Sequence, residues 1–68
     1  MRISKHAGQQ AVARGVSQAT IKMVLNEGQV VSRANGLTTV RNGRYTVITN
    51  SKTGVVVTVA VKGGGGGW

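Results

Sequence analysis

This chain has 68 residues, nine of them Lys or Arg against a single acid, Glu27, for a net charge of +8. With one His, no Cys and one carboxylate, it lacks the donor sets from which closed Zn²⁺ sites and Mg²⁺ or Ca²⁺ sites are built, so no metal and no cofactor is expected. So much one-signed charge on so small a domain repels itself and points to a polyanionic partner: nucleic acid, an anionic membrane surface or an acidic protein.

Residues 63–68, five glycines and Trp68, read as a flexible tail appended to a single domain over residues 1–62. A domain of that size lies near the lower limit for a self-sustaining core. Without Phe and with Tyr45 as its one Tyr, that core must be built from Val, Ile, Leu and Ala. Absence of Cys removes disulfides and fits the cytoplasm. No apolar stretch approaches the roughly 18 residues of a membrane span, and the N-terminus lacks the apolar run of a secretory signal.

Residues 2–4 read as a short strand. Ser4 then caps a helix running to about Arg14, with Ala7, Ala11 and Val12 toward the core and Gly15 at the stop. A second helix is capped by Ser17, with Val16 stapling onto Ile21. In it Ile21, Val24 and Leu25 recur at helical spacing, and Gly28 marks the end. From Gln29 the period becomes two. Residues 29–33 predict a strand, Asn35-Gly36 a turn, and residues 37–41 a second strand. Asn42-Gly43 predicts a type I′ hairpin, residues 44–49 the return strand, residues 50–54 a loop, and residues 55–62 a last strand inside the sheet. The fold class is α+β: two N-terminal helices packed on one face of a mainly antiparallel four-stranded sheet, with the short N-terminal strand beside it.

A hairpin centred on Asn42-Gly43 pairs Arg41 with Arg44, Val40 with Tyr45 and Thr39 with Thr46. A five-residue loop then pairs Val47 with Val57 and Thr46 with Thr58. Tyr45, Val47, Val55, Val57, Val59 and Val61 share the core face. The opposite face collects Thr39, Arg41, Arg44, Thr46, Thr58 and Lys62, a polar cationic surface suited to phosphate.

Lys5-His6-Ala7 opening a helix, Arg14-Gly15-Val16-Ser17 joining it to the next, and a basic hairpin leading to Val55-Val56-Val57-Thr58-Val59 form a recognisable order. Over roughly residues 2–62 it resembles a group of small "His-Ala…Arg-Gly" domains of unknown function. These are placed with the RelE-like toxins in the barnase–EndoU–colicin–RelE fold. The resemblance implies a metal-independent ribonuclease toxin, either free and paired with an acidic antitoxin, or the tail of a larger toxin met by an immunity protein. His6, Arg14 and Thr58 occupy matching positions. The chain departs from the pattern at Gly8, Gln9 and Gln10, where many members carry Arg or another polar residue, so the resemblance does not carry a site over at these positions.

Metal-free RNA cleavage drives the ribose 2′-hydroxyl onto phosphorus and leaves a 2′,3′-cyclic phosphate. It needs proton-transfer groups and cations around the phosphorane. His6 is the one side chain here whose type suits proton transfer near neutrality; its plain alternative is an exposed residue in a helix's first turn. Arg44 and Thr58 complete the expected catalytic set, with Arg14, Arg41, Thr46 and Lys62 expected to bind RNA. Other readings stand beside this one: a non-catalytic RNA- or DNA-binding module using the basic sheet face, or a small protein meeting an acidic partner without activity of its own. Membrane activity is disfavoured because the cations do not line one amphipathic helix. Exposed edge strands make a homodimer, or strand addition by a partner, a further expectation.

Overall fold

Two helices and four strands follow one another along residues 1–62, the part of the chain that the computed structural model describes. The tail expected over residues 63–68 lies outside the described residues. In order come α1 (Lys5–Ala13), α2 (Gln18–Glu27), β1 (Gln29–Ala34), β2 (Leu37–Asn42), β3 (Tyr45–Asn50) and β4 (Val56–Val61).

Local chemistry sets both helices. Ser4 Oγ accepts the Ala7 N–H at 3.1 Å, and Ser17 Oγ accepts the Thr20 N–H at 3.1 Å. Gly15, with φ 69°, ends α1 in a Schellman arrangement. Its N–H donates to the Val12 carbonyl at 3.2 Å, and the Val16 N–H donates to the Ala11 carbonyl at 2.8 Å. Val16 therefore closes one helix and staples the next, since both it and Ile21 are buried. Val12, expected in the core, is instead 82% exposed. Ala7 and Ala11, one helical repeat apart, define the buried stripe, and Val12 is rotated about 100° from Ala11.

The strands form an antiparallel meander in the order β1-β2-β3-β4. α1 packs on β4, and α2 packs on β2 and β3. Ala7, Ala11, Val16, Ile21, Val24, Val40, Val47, Val56 and Val59 make the core, with Ile3, Leu25, Tyr45 and Val61 against it. The predicted N-terminal strand is a single parallel bridge between Ile3 and Val56.

The register corrects the sequence reading at both hairpins. Asn42 pairs with Tyr45 and Arg41 with Thr46, so the β2–β3 turn is centred on Gly43-Arg44 and not on Asn42-Gly43. Gly43 takes φ 59° while Arg44 stays at negative φ, the signature of a II′ turn. The turn slides by one residue because Gly43 then holds the first central position, the one II′ site that demands positive φ. A I′ turn does occur, at Asn35-Gly36, where φ is 58° and 73°. The pairing of Arg41 with Arg44 is thereby lost.

The β3–β4 connection differs as well. Asn50 joins the strand, and its Oδ1 accepts the Lys52 and Thr53 N–H groups at 2.9 and 3.0 Å. Val47 pairs with Val59 and Thr46 with Ala60, and Val57 is an unpaired bulge residue between Val56 and Thr58. The bulge resets the alternation, so Val56 is fully buried while Val55 and Val57, expected in the core, are only half-buried. Both pairings moved by an even count. Tyr45, Val47, Val59 and Val61 therefore keep the helix side, and Thr39, Arg41, Thr46 and Thr58 the open side. β4 ends the meander, contrary to the expected interior place, and among the described residues only the Ile3 bridge continues the sheet beyond it.

Candidate nucleic-acid interface

Two tie points align α1 with β4. The Ser4 N–H donates to the Val56 carbonyl at 2.8 Å, and Gln10 Oε1 accepts the Val59 N–H at 3.1 Å. α1 thus starts at the Val56 end of β4 and carries Arg14, its C-cap, toward the Lys62 end. There the Lys62 N–H donates to the Arg44 carbonyl at 2.7 Å. Arg41 stands one pairing step from the Gly43-Arg44 turn, between Gln29 on β1 and Thr46 on β3. Arg14, Arg41, Arg44 and Lys62 therefore gather at one end of the molecule from four separate segments, and all four are exposed.

That end is closely packed. Gly28, after α2, is crowded from two sides: a Cβ there would stand 2.5 Å from the carbonyl oxygen of Val24 in α2 itself, and 2.8 Å from both the Arg41 carbonyl oxygen and Val40 Cγ1 on β2. Its φ of −77° is ordinary, so the glycine is required by the close approach and not by backbone conformation. Sequence reasoning saw Gly28 only as a helix stop; its position directly before a strand was the one hint of a packing role. Arg44 sits in the turn, off the strand face on which it was expected. Its guanidinium carbon stands 5.5 Å from the centroid of the Tyr45 ring, within cation–π range. Tyr45 belongs to the core side, so Arg44 is drawn toward that side while Arg41 stays on the open one.

The open face itself is lined by hydroxyls and small apolar groups more than by cations. One cross-strand row is Thr39–Ile48–Thr58, and the next is Arg41–Thr46–Ala60. Thr39 and Thr58 are half-buried, whereas Thr46 is 4% exposed and forms floor, not rim. Among the described residues no three of His, Cys, Asp and Glu come together. The chemistry this end presents is guanidinium and ammonium donors, which suit phosphate oxygens.

His6 lies elsewhere. It is exposed in the first turn of α1, at the Val56 end and on the helical layer. At about 3.3 Å per strand residue, that end is on the order of 15 Å along β4 from the level of Arg44. Thr58 lies between the two levels, on the opposite face of the sheet. The structure thus places Arg14, Arg41, Arg44 and Lys62 at one end of the fold, Arg14 on the helical layer and Arg41 on the open face, with His6 at the other end and Thr58 at an intermediate level. A cleft of about 460 Å³ opens between α1, α2 and the N-terminus, lined by Ile3, Lys5, Val12, Val16, Ser17 and Ile21. Its lining is mostly apolar, with Ser4, Ser17 and Gln18 among the polar residues and Lys5 as the one cation.

Among the described residues no helix is long and apolar enough to cross a membrane. No curated protein and no solved structure matches the chain. Residues 3–62, both helices and all four strands included, match the model of a domain of unknown function, and the chain belongs to that family, DUF4258.

Proposed function

We propose that this protein binds RNA at its basic end, with Arg14, Arg41, Arg44 and Lys62 meeting successive phosphates. The observation that carries the reading is that four exposed cations from separate segments lie at one end of the fold, where Glu27, the one acidic side chain of the sequence, stands next to Gly28 as their single acidic neighbour. Backbone contacts of this kind position a strand without reading its bases. Tyr45 is engaged by Arg44 and packed against the core, so it does not serve as a stacking platform. Recognition then rests on the phosphate chain and the shape of its path. Four phosphate contacts on single-stranded RNA give a slope of log K against log salt of about −3. A salt titration of labelled single-stranded RNA, read by fluorescence anisotropy, tests this. Binding that is undetectable, or that does not weaken with salt, sinks the proposal.

A second reading goes further: a RelE-like, metal-independent ribonuclease toxin, acting in the cytoplasm and neutralised by an acidic antitoxin or immunity protein. What supports it is the resemblance carried by Lys5-His6-Ala7, Arg14-Gly15-Val16-Ser17 and the basic hairpin, together with the net charge of +8. In this reading the arginines of the basic end clamp the scissile phosphate. Total RNA incubated in EDTA with the wild type, His6→Ala and Arg44→Ala separates the two readings. Binding without cleavage leaves a binding module. Cleavage lost in Arg44→Ala but kept in His6→Ala places the chemistry at the basic end, and loss in His6→Ala returns it to the imidazole.

A further inference from the structure

The two outer edges of the sheet are treated differently. Along β4 the edge is occupied: the Val56 N–H donates to the Arg2 carbonyl at 2.8 Å, the Val56 carbonyl accepts the Ser4 N–H at 2.8 Å, and Gln10 accepts the Val59 N–H at 3.1 Å. α1 lies beside that strand as well. Along β1 nothing among the described residues pairs with the outer edge. All six β1 residues are exposed, and the helices pack on β2, β3 and β4. Val30 and Val31 are each 48% exposed, and Leu37 on the neighbouring strand is 38% exposed. Open edges are ordinarily guarded by Pro, Lys or a covering segment. β1 has none of these, and its guards are Arg33 and a bulge at Val31.

We propose that β1 is a docking edge that takes an extended acidic segment of another protein as a fifth antiparallel or parallel strand. Backbone pairing along 29–34 supplies the attachment, Val30 and Val31 supply apolar contact, and Arg33 meets a carboxylate. Charge selects the partner. The chain offers one acid against nine cations, so its complement is acidic, and a second copy brings +8 against +8. The bulge argues the same way, because two copies edge to edge would each have to accommodate the other's irregular strand at Val31. This edge adjoins the basic end, since Gln29 pairs with Arg41, but it uses the free backbone groups of β1 and stands whether or not RNA binds at the basic end.

The test uses an acetylated heptapeptide of alternating Glu and Val, titrated into the ¹⁵N-labelled full chain at 150 mM salt. Expected are amide shifts confined to residues 29–34 and slowed hydrogen exchange there. Binding should be at least tenfold weaker for Arg33→Glu, and should be lost when the central peptide residue is Pro or when every Glu is Lys. Arg33→Glu is an exposed change that leaves the fold intact, and Ser32→Pro, checked by circular dichroism, is a second variant expected to abolish pairing. No shifts at 1 mM peptide would overturn the proposal. So would shifts centred on residues 41–46, or protection of β1 through dimerisation without peptide.

Discussion

Gly28→Ala is a substitution whose sign depends on the tertiary structure. Backbone angles of φ −77° and ψ 174° suit alanine as well as glycine, so the dihedral angles by themselves favour the change. Replacing Gly with Ala at such a site stabilises by about 0.4–1 kcal/mol through the unfolded chain. Packing acts in the other direction. The new methyl would stand 2.5 Å from one backbone oxygen and 2.8 Å from another, with a Val40 methyl also at 2.8 Å. No rotamer change relieves a clash with two carbonyls, so the last turn of α2 must deform against the Val24 oxygen and also draw back from β2. Overpacking of this kind costs about 1–3 kcal/mol, and backbone contacts place this case at the upper end. The expected net loss is about 2 kcal/mol, or about 10 °C in Tm for a domain this small. Gly8→Ala is the matched control. It is helical, its nearest new contact is Ile3 Cγ2 at 4.0 Å, and it should stabilise by about 0.5–1 kcal/mol. Thermal and urea unfolding of both variants, followed by far-ultraviolet circular dichroism, measures the pair. A Gly28→Ala protein as stable as the wild type would refute the close approach that positions Arg41.

Gln10→Ala removes the acceptor of the Val59 N–H on a partly buried strand edge, and should lower stability by about 1–2 kcal/mol in urea unfolding. Gly15→Ala forces a side chain into φ 69°, with no atom within 4 Å to clash. Its loss, about 1 kcal/mol, is therefore conformational and should appear in Tm without a change in m-value. Arg41→Gln should make the salt slope of RNA binding shallower by about 0.7, one phosphate contact, while His6→Ala leaves that slope unchanged. Equal slopes for the wild type and Arg41→Gln would remove Arg41 from the interface.

The parts of the fold legible in the sequence are those decided within a few residues. Ser4 and Ser17 cap because a hydroxyl reaches an N–H three residues on, and Gly15 stops α1 because only a residue at ease with positive φ closes a Schellman motif there. The period-two pattern places Thr39, Arg41, Thr46 and Thr58 on the open face. That assignment survived the register error because both hairpins moved by an even count. Val12 misled because two adjacent helical residues cannot both centre a buried stripe. The II′ turn at Gly43-Arg44 was hidden because Asn42-Gly43 is locally the stronger I′ signal, and only strand pairing selects between them.

Charge, the absence of cysteine, the caps and the α+β order of elements follow from the sequence by itself, since each depends on residue type or on neighbours along the chain. Tertiary structure alone decided the rest. Arg14, Arg41, Arg44 and Lys62 reach one end because α1 runs alongside β4 in a direction set by two long-range hydrogen bonds. Gly28 matters because a distant carbonyl lies against it. One sheet edge is occupied and the other bare because Ile3 and Gln10 fold back onto β4, while nothing among the described residues covers β1. These are contacts between segments far apart in the chain, and local preferences do not encode which partner a free group will find.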